Sequence, residues 1–393
     1  MKKPQVLVCQ HGSRHRYAIP RMLEEAGMLA ALYMDSCALS PLGKIARCIN
    51  KLGVRNRQVV ALAARHPYGI SKQKVFSSDR LFWSSFTKGR ISSDLAFDFK
   101  KWGLQAADIV YSMYGENPDF LEWAKELGAK IVVDVIIHPG TNRIVERELK
   151  KWPAVGSSHL FGEIERQDRH SKRVFALADV LLAPSHWVAE GIREITPQFS
   201  TKIRVLPYGS SVTSAETVAE PAERYFLFAG RDSLRKGLPY LAEAAELVHQ
   251  QFPEWKFKVA GVSKDQIAWI PHVDHLTCLG SVPMDEMRNL YENAWAFVLP
   301  SLSEGQAGVL LEAMGCGCPV IATKESGVDF APGCGATVPV CDAAALAETI
   351  MAMVRDRQSR DELARGALSQ LTMFSMEAWK QRLMSIIQEV ALV

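Results

Sequence analysis

Short apolar runs alternate with stretches of helical periodicity along almost the whole chain. Asp108–Ser112 (DIVYS), Lys130–Val135 (KIVVDV) and Val180–Ala183 (VLLA) are bounded by turn signals, as strands buried on both faces require. At the N-terminus QVLVCQHGSRHR reads as a strand and a polar loop, and YAIPRMLEEAGMLAALYM as one helix. Asn117–Leu127 fits a helix between two of these strands, and the charged stretch Arg143–Leu177 reads as mostly helical. Over 207–223 the pattern lapses: PYGSSVTSAETVAEPAE has small residues and acids without period, the texture of an interdomain linker.

The alternation then restarts. Tyr225–Gly230, Lys256–Ala260, His275–Leu279, Ala296–Pro300 and Pro319–Thr323 read as strands, and Leu238–Gln251 as a helix following the first of them. Two successive βα arrays predict an α/β protein of two doubly wound parallel-sheet domains facing across a cleft. The boundaries implied are 1–207, 208–375 and a terminal helix over 376–393, which carries Trp379, Leu383, Ile386, Ile387 and Val390 on one face.

Composition agrees with two domains. The chain has 393 residues, too many for one core of roughly 250–300. Its charge of +3 makes no case for nucleic acid as a partner. The eight cysteines contain no CxxC pair, so reduced thiols are expected and no metal site. The short apolar run in MKKPQVLVCQHG falls below a signal peptide or a membrane span, and a cytoplasmic protein is the expectation. Charge is nonetheless uneven. Lys44 to Lys101 holds 13 Lys/Arg against Asp79, Asp94 and Asp98, interleaved with Phe82, Trp83, Phe86, Phe97, Phe99 and Trp102. Residues 44–102 therefore suit either an anionic membrane surface, with the protein peripheral at its inner face, or a solvated face whose aromatics point into the core.

The candidate chemistry lies in LPSLSEGQAGVLLEAMGCGCPVIAT, Leu299–Thr323. A strand ends at Pro300, a loop holds Glu304, and Gln306, Ala307 and Gly308 open a helix with Val309. Glu312 follows one turn after Gly308 on the same face. Gly317 is positioned to end the helix and Pro319 prevents its continuation. Free N–H groups at the helix mouth suit a diphosphate, and two flanking carboxylates suit hydroxyl groups on either side of it. FAGRDSLRKG, Phe228–Gly237, adds a loop with Arg231, Arg235 and Lys236 at the end of a strand, where cations neutralise a leaving diphosphate.

The pairing of Arg231-x4-Lys236-Gly with Glu304-x7-Glu312 resembles glycosyltransferase family 4, the group 1 glycosyl transferases. The resemblance is densest over Phe226–Thr323, and extends loosely to PYG at Pro207–Gly209 and to ADVLLAPSHWV at Ala178–Val188. It implies a GT-B fold and a retaining enzyme using a nucleotide-sugar donor, with the acceptor, a saccharide or lipid-linked molecule, on the N-terminal domain. It also implies that Arg231 and Lys236 hold the diphosphate and that Glu312 binds the ribose. Glu304 would contact the transferred sugar, the Gln306–Gly308 backbone and Val309 would line the diphosphate, and the terminal helix would cross back to the first domain. His138, in KIVVDVIIHPG, sits where the family places a histidine near the anomeric carbon. Gly12 stands where the family has a glycine-rich loop over the donor. This chain departs from the double-glycine form with Gly12-Ser13-Arg14-His15-Arg16, from which Arg14 or Arg16 reaches toward a donor or acceptor phosphate. No Asp-x-Asp triplet occurs, so transfer without metal or other cofactor is expected. A sugar-nucleotide epimerase or hydrolase, and a donor-binding scaffold without catalysis, are the alternatives.

Overall fold

In the computed structural model, which describes residues 3–53, 56–81, 83, 95–114, 116–152, 160–212, 214–218, 221 and 223–392, helices and parallel strands alternate twice. The first array runs β1 (Val6–Gln10), α1 (Ala18–Glu25), β2 (Leu29–Met34), α2 (Pro41–Lys51), α3 (Arg57–Ala64), β3 (Val75–Ser77), α4 (Ala96–Trp102) and β4 (Ile109–Met113). It continues through α5 (Pro118–Glu126), β5 (Lys130–Asp134), α6 (Thr141–Leu149), α7 (Leu160–Leu177), β6 (Val180–Ala183), α8 (His186–Ile195) and β7 (Ile203–Val205). The second comprises β8 (Tyr225–Ala229), α9 (Leu238–Gln251), β9 (Lys256–Ala260), β10 (Leu276–Gly280), α10 (Met284–Glu292), β11 (Ala296–Leu299), α11 (Gly308–Gly315), β12 (Val320–Thr323) and β13 (Ala336–Val338). Then follow α12 (Ala343–Arg355), α13 (Arg357–Leu371) and α14 (Met376–Leu392).

Among the described residues the strands form two parallel sheets, ordered β3-β2-β1-β4-β5-β6-β7 and β10-β9-β8-β11-β12-β13. This is the expected pair of doubly wound domains. Each sheet reverses its strand order once, at β1/β4 and at β8/β11. A crevice opens at such a point because the loops leave to opposite faces. The loops after β8 and β11 are the two motif segments.

Alternate residues of one strand serve different layers. Val6 and Val8 join the core beneath α1, whereas Leu7 and Cys9 face Phe99, Phe120 and Val188 on the other side. Trp379, Leu383 and Ile387 of α14 enter the first of these layers with Val6 and Val8, so the last helix completes the first domain. Conversely, Ile144, Val145 and Leu149 of α6 pack on the core of the second.

The sequence reading needs one correction. YAIPRMLEEAGMLAALYM is not one helix: α1 stops at Glu25, Gly27 takes φ +67, and Leu29–Met34 form β2 beside β1. A glycine reaches that left-handed geometry at little cost, and six consecutive apolar residues then satisfy a central strand better than a one-sided helix. The charged stretch divides into α6 and α7, and residues 153–159 lie outside those described. So do Arg55, Phe82, Phe86, Lys88, Arg90 and Asp94 of the basic–aromatic segment. Within the described part of that segment Phe99 is buried and Trp102 packs on Tyr33, ring centroids 5.0 Å apart, while Trp83 and Phe97 are exposed. The segment linking β7 to β8 is anchored: Tyr208 is buried, Ser210 N–H donates to Phe374 and Ala215 N–H to Gly315.

Candidate functional site

The switch point of the second sheet gathers the charged residues. Lys236 leaves the loop before α9 with its chain crossing Gly230, where a Cβ would lie 2.1 Å from Lys236 Cδ. Its Nζ donates to Glu304 Oε1 at 2.8 Å. Arg235 Nη1 meets the other oxygen, Oε2, at 2.8 Å and also donates to the Ser303 carbonyl. Glu304 is thus ligated on both oxygens by cations 68 and 69 residues upstream. Its charge compensates two cations. Arg231, the other cation of the loop, is exposed and is not drawn into this cluster.

From Glu304 the chain passes directly into α11. Ala307 is the N-cap and offers no side-chain oxygen to the first-turn N–H groups, and Gly308 is exposed. The positive end of this helix is therefore open to an anion. At the other end Gly317 N–H donates to Met314 and Cys318 N–H to Ala313, the paired bonds of a Schellman stop. Val309 is half-buried beside the opening. Glu312, one turn in, accepts a hydrogen bond from Tyr291 of α10 at 3.1 Å. Burial raises its pKa, opposed by the Tyr291 hydrogen bond and by the charges of Arg16 and Lys236.

Glu312, Gly308 and Gln306 line a cleft of about 630 Å³. Arg16 and Arg21 face it from the first domain, Tyr208 from the connecting segment, and Met284 and Tyr291 from α10. Gln306 does not point its side chain into open space. Its Oε1 accepts from Tyr208 N–H at 2.8 Å and its Nε2 donates to the Tyr208 carbonyl at 3.0 Å.

The first domain grips this loop from the opposite side. A Cβ on Gly305 would lie 1.9 Å from the Ile136 carbonyl oxygen, so glycine is required by the close approach of the loop after β5. Ser185 Oγ donates to the Gly305 carbonyl at 2.7 Å, and Thr141 and Ser303 share a hydrogen bond at 2.8 Å.

His138 is brought to this contact but is 2% exposed. Its Nδ1 accepts from Gly140 N–H at 3.0 Å, its ring stacks on Trp187 at 4.2 Å, and its Nε2 faces the Gly191 backbone with no hydrogen-bond partner. Burial lowers its pKa to about 4, against the opposing pull of Glu190. The ring of His138, the histidine expected beside the reacting atoms, packs within the β5–α6 turn between Trp187 and Gly191. The residue whose backbone touches the Glu304 loop is Ile136, two positions earlier.

Gly12 lies just after β1 with φ +70, and its N–H donates to Asp35 at 2.8 Å. Beyond it His15, Arg16 and Tyr17 all have positive φ, 47°, 50° and 63°. Arg14 is held by Glu116 at 3.2 Å, and Glu116 also accepts from His11 N–H. Sequence reasoning noted Tyr208 only within the PYG triplet and missed Asp134 and Tyr291. Asp134, buried at the end of β5, accepts from Tyr208 and Tyr111 hydroxyls at 2.7 and 2.8 Å. Burial raises its pKa to about 6, opposed by those two hydrogen bonds and by Arg14. The PYG triplet marked Tyr208, but no local signal names its partner. Among the described residues no group of His, Cys, Asp and Glu is arranged to hold a metal ion, and no helix is long and apolar enough to cross a membrane.

Comparison with known proteins places these features. The sequence profile described as "Glycosyl transferases group 1" matches residues 223–356. A D-inositol 3-phosphate glycosyltransferase of Pseudarthrobacter chlorophenolicus is 30% identical over 332 residues, 79% of this chain and 69% of that protein. A putative teichuronic acid biosynthesis glycosyltransferase of Bacillus subtilis, TuaC, is 31% identical over 169 residues; the match spans 41% of that relative's length. Among solved structures, sucrose-phosphate synthase from Thermosynechococcus elongatus superposes with a TM-score of 0.65 at 17% identity, covering 99% of both chains. Anabaena HepE in complex with UDP and glucose gives 0.63 at 14%, covering 98% of this chain and 100% of that one. At these identities the two structures speak for the fold alone.

Proposed function

The chain belongs to the glycosyl transferases group 1 family, and from that premise we propose that it moves a glycosyl group from a nucleoside-diphosphate sugar to an acceptor hydroxyl. The observation that carries this reading is the convergence of Lys236, Arg235 and Glu304 with Glu312 and the open end of α11 at one switch point.

In this reading the diphosphate lies on the Gln306–Gly308 backbone and Val309, with Lys236, Arg231 and Arg235 neutralising it. Gly12 packs over it from the first domain. Glu312, its Oε2 held by Tyr291, takes the ribose hydroxyls, and Glu304 takes a hydroxyl of the transferred sugar once the diphosphate has drawn off its cations. The bond from the anomeric carbon to the phosphate oxygen breaks, the acceptor oxygen bonds to that carbon on the same face, and the acceptor proton passes to the leaving phosphate. Configuration is retained, no carboxylate nucleophile is needed, and fixed cations do the work that a divalent metal does elsewhere. His138 is a positioning residue, fixing the turn that carries Ile136 against the Glu304 loop. Helix dipole and guanidinium charge act most strongly where closed domains exclude water.

The relatives named for teichuronic acid biosynthesis and for D-inositol 3-phosphate support polysaccharide or glycoconjugate biosynthesis, with a saccharide or lipid-linked acceptor. A peripheral place at an anionic membrane surface is supported by α2, where exposed Ile45 lies among Lys44, Arg47 and Lys51 and is followed by exposed Leu52.

The test is thermal stability against UDP-, GDP-, ADP- and dTDP-sugars with and without EDTA, followed by turnover of the radiolabelled donor that binds. A selective shift unaffected by EDTA, with label transferred to an acceptor, supports the proposal. Label released to water alone points to a hydrolase, an epimerised sugar to an epimerase, and binding without turnover to a scaffold.

A further inference from the structure

We infer that Glu148 is a positioning residue for the transfer: a carboxylate of the first domain, sealed against the second, that fixes α6 on the start of α9. The inference rests on the donor reading above. Glu148 lies in the last turn of α6 and is 3% exposed. Its Oε2 accepts from the Tyr240 hydroxyl in the first turn of α9, and its Oε1 accepts from the Cys341 thiol at 3.6 Å, just before α12. Lys151 pairs with Oε1 at 2.9 Å and donates to the Tyr240 hydroxyl at 3.3 Å. Burial raises the pKa of Tyr240, which keeps its hydroxyl a donor.

Both ends of this first-domain segment meet a motif loop. Tyr240 opens the helix whose preceding loop carries Arg235 and Lys236, the two cations on Glu304. At the other end the Ile136 carbonyl closes on Gly305, and Thr141 bonds Ser303, on either side of Glu304. Residues 136–151 therefore touch the Glu304 loop at Ile136 and Thr141, and the helix leaving the Lys236 loop at Glu148.

Adhesion alone does not require a carboxylate here. Ile144, Val145, Leu149 and Trp152 already pack on the second core, and Trp152 meets Trp269 with ring centroids 6.1 Å apart. A buried ion carries a desolvation cost that an apolar side chain of similar volume avoids, so its presence points to register rather than to stability. Apolar surfaces tolerate a small slide. A buried carboxylate that loses a donor is left uncompensated, so the contact admits one alignment of α6 on α9. Alignment is what the two loops need, because a misplacement of about 1 Å between reacting groups costs about 100-fold in rate.

The test compares Glu148→Met, Tyr240→Phe, the double variant and the unmodified protein at a temperature where circular dichroism shows each to be folded. Diphosphate affinity is read by calorimetry with UDP, GDP, ADP and dTDP, and kcat with the radiolabelled donor sugar of the nucleotide that binds. Glu148→Met is expected to keep its thermal midpoint and its diphosphate affinity while kcat falls about tenfold or more. Tyr240→Phe should lower kcat in the same direction by less, and the double variant should fall no further than Glu148→Met. An unchanged kcat in folded Glu148→Met overturns the inference. So does a loss of kcat matched by an equal loss of affinity, which makes Glu148 a part of the fold and nothing more. Should Glu148→Met fail to fold, Tyr240→Phe decides, and an unchanged kcat there overturns the inference as well. If the unmodified protein neither binds a diphosphate nor turns over a donor, the donor reading itself fails and this inference with it. An active parent with an equally active Glu148→Met removes this inference alone.

Discussion

Tyr208 and Gln306 exchange two hydrogen bonds between the connecting segment and the second domain, peptide N–H to Oε1 at 2.8 Å and Nε2 to carbonyl at 3.0 Å. The same tyrosine donates its hydroxyl to Asp134 at the end of β5, at 2.7 Å. One residue therefore ties the carboxyl edge of the first sheet to the turn that opens α11.

Tyr208→Phe leaves Asp134 buried with the Tyr111 hydroxyl as its remaining donor. The expected loss is about 1–3 kcal/mol, read as a lower urea midpoint at pH 7. An unaltered midpoint would show the bond contributes nothing to holding the domains.

Asp134 also predicts a pH dependence. Its folded pKa, raised to about 6, exceeds the ordinary carboxylate value of 3.8, so between those values the folded state binds more protons than the unfolded. The stabilising contribution is fully present below about pH 4 and is lost as pH rises through 6. Denaturation midpoints measured across that window should show this component, and Asp134→Asn should flatten it.

His138 carries the opposite sign. With its pKa lowered to about 4, it stays neutral as pH falls below 6.5 while the unfolded chain takes up a proton, so its contribution to stability is lost through that range. Proton NMR of the ring should show a midpoint near 4. A midpoint near 6.5 would place the ring in solvent, contrary to its contact with Gly191.

Glu312→Gln should weaken nucleoside diphosphate binding roughly tenfold or more, since a charge-assisted hydroxyl contact becomes a neutral one. Loss of turnover with unchanged affinity would refute the ribose contact.

Glu304→Ala should lower kcat by about 10²–10³ while nucleoside diphosphate affinity holds or rises, because Lys236 and Arg235 no longer share their charge with a carboxylate. Equal losses in kcat and affinity would count against contact with the transferred sugar.

Trp379→Ala removes the largest α14 side chain from the layer under β1, a site 1% exposed. A loss of about 3–5 kcal/mol is expected in denaturant unfolding. If α14 were an independent appendage, the first domain would unfold at its original midpoint.

Much of this was legible locally. The helix Leu238–Gln251 and the strand Lys256–Ala260 were read to the residue, because periodicity and turn residues act over a few positions. The β2 strand was misread because LAALYM continues a helical-looking pattern, and what makes it a strand is its pairing with β1. Glu304 and Lys236 were each identifiable, yet nothing within either segment says that they form an ion pair. His138 was placed at the correct strand end, but the side to which its ring turns depends on Gly191, 53 residues on.

By itself the sequence determined the two α/β arrays, the motif loops after β8 and β11, and the residue types on which the proposed donor site rests. These follow from backbone propensity and hydrophobic period, which are short-range. The tertiary structure alone decided which arginine pairs with Glu304, that Gln306 holds Tyr208, that Arg16 faces the cleft while Arg14 does not, and that His138 is sealed from it. Each of those outcomes depends on burial and on the distance between groups far apart in the chain, and a hydrogen bond or ion pair exists only once packing has set that distance.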